Sequence, residues 1–334
     1  MQEKPVRWGI AGVGQIAHRF AADLTQHCPD ATLYGAAARS LTRATEFISK
    51  YKGIKSYGSY EEMATDPDIE AMYIATINPV HKPLIELYLK HGKHVLVEKP
   101  ALTNLADWDE MFTLAQKQGR MLIEAMKTIT FPAYRSLRQF IQENHIQISH
   151  IDAAYGGAVP FDPNNRVFDA NLCGGASLDV GVYPLWLYAD LCDCLDQPIG
   201  EMTTQFIQDD PEAGIDETAV YQFSGPVSGN IRASITQDME RIATLTGPDV
   251  KIVIQDKWWN PKVIDIEFQG KPFKISPQTQ GGGFEHEIQH VSQLIKEKAN
   301  HSEMIKDKTS RAVIEIVETG LTENGFVHLA KNHM

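Results

Sequence analysis

The stretch "VRWGIAGVGQIA", residues 6–17, constrains this chain more than any other. A short apolar run enters glycines and passes at once into a segment of helical character, Ile16 to His27. Between them Gly12, Gly14 and Ala17 make a G-x-G-x-x-A pattern. That pattern serves a tight turn, a backbone close enough to touch a pyrophosphate, and a small residue where helix meets strand. The free N–H groups and the dipole of the helix start favour an anion there. The chain is therefore expected to open with a dinucleotide-binding unit, with Gly12, Gly14, Gln15 and Ile16 against the cofactor.

The same alternation continues to about residue 125. "ATLYGAAA", "EAMYIAT", "KHVLVEKP" and "RMLIEAM" read as buried strands. They are separated by the helical runs "LTRATEFISKY", "PVHKPLIELYLKHG" and "NLADWDEMFTLAQKQG", the last with Asn104 as N-cap and Gly119 as its stop. Strand–helix alternation predicts a parallel, doubly wound α/β sheet with ligands at the carboxyl ends of its strands. The second strand ends in "AAARSLTRA", which has no acid to accept ribose hydroxyls but offers Arg39, Ser40 and Arg43. A guanidinium fork and a hydroxyl suit a 2′-phosphate, so NADP is favoured and NAD stays possible.

At 334 residues the chain suits two domains, here 1–125 for the dinucleotide and 126–334 for the remainder. Beyond residue 145 come β-rich runs such as "QISHIDAAYGG", "TAVYQFSG", "SGNIRASIT", "VKIVIQD" and "VIDIEFQG", with "GASLDVGVYPLWLYADLCDCL" the one strong helix among them. Lys plus Arg number 31 against 43 acids, a net charge of −12, which argues against a nucleic-acid or anionic-membrane surface. No apolar run reaches the roughly 18 residues of a membrane span. The first residues carry no apolar signal core, and four cysteines make no disulfide framework, so a cytoplasmic protein is expected.

Three further stretches carry a resemblance. "YIATINPVH" (73–81), "HVLVEKPALTN" (94–104) and "CGGASLDVGVYP" (173–184), in this order and spacing, resemble the Gfo/Idh/MocA family of glucose–fructose oxidoreductase and inositol dehydrogenase-like enzymes. The resemblance runs over essentially the whole chain. It implies that the Rossmann domain is followed by an α+β domain, with a large, mostly antiparallel, open-faced sheet often used for dimerisation. It implies a homodimer or higher homo-oligomer.

It also implies a site. Lys99 of the Glu-Lys-Pro motif would lie beside the reacting hydroxyl, with Glu98 orienting the turn. Of Asp179 and Tyr183, four apart on a helix, Tyr183 would exchange the proton, Lys99 lowering its pKa and holding the oxygen, and Asp179 would orient both or bind a second hydroxyl. Thr76, Asn78 and His81 would face the nicotinamide side, and Arg166, Phe168 and Asp169 would shape the substrate pocket. The competing reading packs Tyr183 among Val180, Trp186 and Leu187, with Asp179 as a helix cap. Many relatives carry His where Tyr183 stands, which brings this chain closer to the dihydrodiol dehydrogenase, glucose–fructose oxidoreductase and xylose dehydrogenase branches.

The leading expectation is thus an NADP-preferring dehydrogenase or reductase acting on a sugar or other polyol. A trans-1,2-dihydrodiol dehydrogenase is the alternative, and a non-catalytic dinucleotide sensor is the alternative from another class. Residues 286–290, "HEIQH", match a zinc-protease pattern literally. A third ligand and the metzincin continuation are missing, so no metal is expected.

Overall fold

A computed structural model describes residues 4–209 and 213–331 of the chain. The first third forms β1 (Val6–Ala11), α1 (Gln15–His27), β2 (Ala31–Ala37), α2 (Leu41–Tyr51), β3 (Lys55–Tyr57), α3 (Tyr60–Ala64), β4 (Ala71–Ile74), α4 (His81–Lys90), β5 (His94–Glu98), α5 (Leu105–Gln118) and β6 (Leu122–Ala125). The six strands are parallel, in the order β3-β2-β1-β4-β5-β6. The reversal of order at β1 and β4 opens a crevice at their carboxyl ends, the usual ligand position in such sheets. β3 and α3 are too short to carry a periodic signal and were not expected. Gly35 in β2 shows how tightly that edge packs, because a Cβ there would sit 2.4 Å from the Tyr57 ring.

The caps anticipated for α5 are present. The Asn104 side chain accepts from the Asp107 N–H at 2.9 Å, and Gly119 ends the helix at φ +60°.

From residue 127 the chain forms α6 (Lys127–Thr130), α7 (Pro132–Glu143) and β7 (His150–Gly156), then a π-helical turn over Ser177–Gly181 that runs into α8 (Val182–Cys194). β8 (Glu201–Ile207), β9 (Thr218–Ser224), β10 (Ser228–Ser234), β11 (Ala243–Gly247), β12 (Val250–Ile254), β13 (Ile264–Phe268) and β14 (Lys271–Ile275) follow, and α9 (Phe284–Lys296), α10 (Asp307–Glu323) and α11 (Val327–Ala330) close the chain. These eight strands make one sheet, β14-β13-β12-β11-β7-β10-β9-β8, antiparallel except where β7 meets β10. Both parts of the fold class read from the sequence are present.

The "one strong helix" of this part is a correction, because α7, α9 and α10 are helices of 12, 13 and 17 residues. α10 lies against α8 and α5, so its apolar stripe is covered by two different parts of the fold.

Strand alternation separates the two faces of the large sheet. Ile151, Ala153, Ile231, Ala233, Ile252 and Ile254 are buried, on the side where α8 packs. Asp152, Asn230 and Arg232 occupy the other face, where Asp152 accepts from Asn230 and from Arg232, each at 2.8 Å.

The two sheets are joined by more than the chain between them. α9 returns to the first sheet and packs on α1. The Trp8 indole donates to Ser292 Oγ at 3.0 Å. Asp23 of α1 accepts the N–H of Gly282 at 2.9 Å and of Phe284 at 3.0 Å. Asp23→Ala leaves those two amides without their acceptor, and an unsatisfied buried donor costs about 1–3 kcal/mol. A fall in the urea midpoint with unchanged m-value is expected for this variant.

Candidate active site

The β1–α1 turn is shaped to receive an anion. Gly12 has φ +89°, and a Cβ there would lie 2.9 Å from the Ala75 carbonyl oxygen. Only glycine takes that conformation against that neighbour without strain. Gly14 is different: its φ is −79°, which any residue adopts, and a Cβ would meet nothing within 4 Å. Its smallness leaves open space directly above the first turn of α1. No side chain caps α1 and no acid lies in its first turn, so the amides at Gln15 and Ile16 face that space undiluted by negative charge.

At the end of β2, Arg39 and Arg43 are exposed and form no ion pair among the described residues. Ser40 stands at the N-cap of α2 with its hydroxyl uncommitted to the helix. Both guanidiniums work to lower the Tyr60 phenol, although burial raises it overall, so the three side chains are neighbours. These donors, with no carboxylate among them, fit a phosphorylated ribose. At the end of β4, Thr76 Oγ1 is buried without a partner and Asn78 opens a 3-10 turn, Asn78–Val80.

Lys99 follows β5, and the Lys99–Pro100 peptide is cis. Its ammonium reaches across to the π turn before α8, donating to the Asp179 carbonyl oxygen at 2.5 Å, with an Asp179 carboxylate oxygen at 3.5 Å. Arg166 donates to that same oxygen at 2.8 Å. Burial raises the Asp179 carboxyl, but the Lys99 and Arg166 cations outweigh it and hold the pKa below its ordinary value. Lys99 Nζ also lies 4.9 Å from the centroid of the Tyr183 ring. The Tyr183 hydroxyl has no hydrogen-bond partner among the described residues.

The lysine therefore covers the ring face and does not bond the phenol oxygen. Burial, with Glu98, Tyr155, Asp179 and Glu287 around it, pushes Tyr183 well above its ordinary pKa. The expected lowering by Lys99 is not what this arrangement produces. Glu98 accepts from the Tyr73 hydroxyl, and burial raises its carboxyl.

The "GG" before the helix has a structural reason. A Cβ on Gly174 would sit 2.6 Å from the Val167 carbonyl oxygen, and Gly175, at φ +103°, would place one 2.2 Å from Asp216 Oδ1. Asp216 lies directly beneath: its Oδ2 accepts from the Ser177 N–H at 2.7 Å and from Ser177 Oγ at 2.6 Å. Tyr221 donates in turn to Ser177 Oγ at 2.8 Å. This buried network seats the π turn that carries Asp179. Burial pushes the Asp216 carboxyl up to about 7.

Several contributors were not singled out from the sequence. Tyr155, at the end of β7, stacks on Trp259 at 3.9 Å and meets Tyr183 edge-on at 5.3 Å, making an aromatic wall beside the phenol. Alternation placed Tyr155 on a strand, but nothing local told which strand end faces the cleft. Glu124, on β6, accepts from the Ala101 N–H at 2.9 Å and from the Trp186 indole at 2.6 Å. It fastens the turn after Lys99 to the helix of Tyr183.

A family model described as "Oxidoreductase family, NAD-binding Rossmann fold", of the Gfo/Idh/MocA group, matches residues 6–126. Trans-1,2-dihydrobenzene-1,2-diol dehydrogenase from Macaca fuscata fuscata is 32% identical over 94% of this chain and 95% of its own length. The Mus musculus enzyme of that name is 33% identical with the same coverage. The chain belongs to the Gfo/Idh/MocA family. It is thereby an NAD(P)-dependent oxidoreductase. Two solved structures share its fold. Aldose-aldose oxidoreductase from Caulobacter crescentus, complexed with glycerol, superposes with a TM-score of 0.84 at 18% identity, covering 96% of this chain and 98% of that one. A 3-ketoreductase from Actinomadura kijaniata, in complex with NADP and TDP-benzene, gives 0.79 at 21% identity, covering 95% and 98%.

Among the residues that the Gfo/Idh/MocA resemblance singled out, Lys99, Asp179, Tyr183 and Arg166 converge. His81 does not reach the cleft. It is fully buried, with Nδ1 3.1 and 3.2 Å from the Pro100 and Ala101 carbonyl oxygens and Nε2 3.3 Å from that of Thr76, and burial takes its pKa down to about 4. Its place is behind the Lys99 turn, as a neutral brace. Asp169 spends its carboxylate on the Asn171 N–H at 2.9 Å, and Phe168 is buried with the exposed Phe161 ring against it at 5.2 Å. Both shape the loop from which Arg166 projects. In the "HEIQH" stretch, His290 Nε2 is 2.8 Å from Ser302 Oγ and His286 Nε2 is 3.3 Å from a Glu285 oxygen, so the pair does not share a centre.

Asp216 gives a pH test. An acid whose pKa is higher folded than unfolded binds more protons when folded, so it subtracts stability as pH rises from about 4 toward 7. Asp216→Asn cannot ionise. The stability difference between pH 5 and pH 7.5, from urea melts, is expected to be smaller in that variant than in the parent.

Proposed function

We propose that the protein is an NADP-preferring dehydrogenase or reductase that interconverts a hydroxyl and a carbonyl on a sugar, polyol or cyclic diol. The observation that carries this reading is the unpartnered Tyr183 hydroxyl. It sits beside Lys99 and the clamped Asp179, in the crevice that the Gly12–Gly14 turn prepares for a dinucleotide. A nicotinamide dinucleotide held there would supply the hydride-accepting and hydride-donating chemistry.

The chain's own groups do the rest. Tyr183, kept protonated by its surroundings, gives its Oη proton to the substrate oxygen during reduction and is reprotonated from solvent; oxidation runs the same steps in reverse, the phenol first losing its proton to solvent. Lys99, held by Asp179, offers its remaining N–H bonds to the same oxygen and stabilises negative charge developing there. Asp179, charged and clamped, fixes the lysine. Gly12, Gly14, Gln15 and Ile16 hold the pyrophosphate, Thr76, Asn78 and the Glu98–Lys99 strand end line the nicotinamide side, and Arg39, Ser40 and Arg43 hold the 2′-phosphate. Arg166 lies over the substrate.

The trans-1,2-dihydrodiol dehydrogenase reading is supported by the relatives of that name and by the flat Tyr155–Trp259 wall, which suits a planar ring. A panel of aldoses against cyclic trans-diols, each with NADP and NAD, separates the two. The sensor alternative is disfavoured by the convergence of Lys99, Asp179 and Tyr183. We also take residues 1–125 as the cofactor domain and 126–334 as the substrate domain, and propose a homodimer or higher homo-oligomer through the second sheet. Cytoplasmic residence goes with four cysteines in the thiol form, at 28, 173, 192 and 194.

Tyr183→Phe should lower kcat by about 10²–10⁴-fold while NADPH still binds, as loss of a proton-transferring group does. Turnover within threefold of the parent would remove Tyr183 from this role. Arg39→Ala should weaken NADPH by roughly 10-fold or more and NADH little, the loss of a charge-assisted contact to phosphate. Fluorescence titration reads both affinities.

A further inference from the structure

Lys127 is the first residue of α6, directly after the strand that carries Glu124. Its Nζ lies 4.6 Å from the Phe284 ring centroid, and no carboxylate oxygen comes within 4 Å of it among the described residues. Burial lowers its pKa, while Glu287 and Glu98 nearby work to keep it charged. It is a half-buried cation with no ion-pair partner, and the assignments above give it no task.

Its position is set by its neighbours. Thr128 donates to the Trp259 carbonyl oxygen at 2.7 Å, so α6 abuts the Trp259–Tyr155–Tyr183 wall. Arg19 lies one helical turn before Asp23 on the same face of α1, and Asp23 holds the backbone of Gly282 and Phe284 beneath Lys127. The field of Arg19 reaches both Lys127 and Tyr155. Arg241 lies over the Trp259 ring at 5.8 Å, its charge matched by Asp256 at 2.7 Å. Of the acids around the cleft, Asp179 is taken by Lys99 and Arg166, and burial raises both Glu98 and Glu287 toward their neutral forms. Lys127 thus stands here with Arg19 in its field and, among the described residues, no carboxylate oxygen in contact with its ammonium, while Glu287, Glu98 and Asp23 act on it from further off.

We infer that the substrate carries an oxyanion group, a carboxylate or a phosphate, and that Lys127 with Arg19 binds it beside the reacting carbon. The inference rests on the oxidoreductase reading above and narrows its substrate class. Without such a group, the site would hold a partly desolvated ammonium against an aromatic ring with no carboxylate oxygen in contact with it, an arrangement that disfavours burial of charge. An anion answers it directly and, through long-range attraction, also favours encounter.

Matched compounds test this with the intact protein and NADP: an aldose against its uronate and its terminal phosphate, and a cyclic trans-diol against the same diol bearing a carboxylate. The expected kcat/KM is about 10-fold or more higher for the anionic member of at least one pair, as for a charge-assisted contact. Uronate against phosphate tells which oxyanion is meant. In Lys127→Met that anionic-to-neutral ratio should fall by ~10-fold or more, and in Lys127→Arg it should stay within about threefold. NADPH affinity, measured on each variant, should move less than the ratio does and verifies that the variant is folded. A neutral member preferred in every pair, a ratio untouched by Lys127→Met, or an equal loss of NADPH affinity would each overturn the inference. Failure of the anionic compounds alone leaves the oxidoreductase reading standing. Failure of both sets with both cofactors overturns the inference and the substrate class proposed above together.

Discussion

One buried carboxylate holds the working parts of this molecule in register. Glu124 sits near the end of the last parallel strand, almost wholly out of contact with solvent, and is bonded on one oxygen to the backbone after the Lys99 turn. Its other oxygen accepts a hydrogen bond from the indole N–H of Trp186, on the helix that presents Tyr183. Burying a carboxyl is costly unless its hydrogen bonds are supplied by rigid donors. Here the donors are a main-chain amide and a fully buried ring, neither able to drift. The lysine follows a strand of the first sheet and the tyrosine lies on α8, and this shared acceptor ties one to the other.

Charge is then distributed by the same economy of contacts. Asp179 is the one acid close to Lys99 that is kept ionised, because two cations converge on it. The other acids near the phenol, Glu98 and Glu287, are driven toward neutrality by burial. A tyrosine among such groups keeps its proton until something more basic, such as a developing alkoxide, arrives to take it. The cleft thus sets a phenol that keeps its proton beside an ammonium fixed by Asp179, the arrangement on which the proposed proton transfer rests.

What could be read from the sequence and what could not divides along the distance of the contacts. The Gly12–Gly14 turn, the acid-free end of β2 and the Lys99 and Tyr183 motifs are local, and each carries its physical reason within about ten residues. The pairing of Arg166 with Asp179 joins residues 13 apart through a loop whose path depends on glycine contacts, so it was legible only as proximity in the chain. His81 looked like a cofactor contact because it follows a strand end, yet its ring turns inward to carbonyls of a turn that comes 19 residues later. Glu124 joins Trp186 across 62 residues, and α10 is amphipathic toward α5 and α8 at once. Such tertiary bonds leave no periodicity to find. Tyr155, Trp259 and Lys127 were passed over for the same reason, since strand, turn and bridging segment meet only in the folded chain.

The turn at Ser177–Gly181 has a consequence of its own. A π turn accommodates a residue that an α-helix would not, and it persists here because Asp216 grips its first residue from below while α8 is pinned by Trp186. Rewinding the five residues of that segment as regular α, with none lost, would break this phase. Everything after it would then rotate by about 100°, one residue's share of an α-turn. Tyr183 would face the core and an apolar neighbour would face the cleft, with nearly every side chain of the fold unchanged. The face this helix presents is therefore set by its winding as much as by its letters. Two chains of this fold with the same motif can present different faces through a single wider turn.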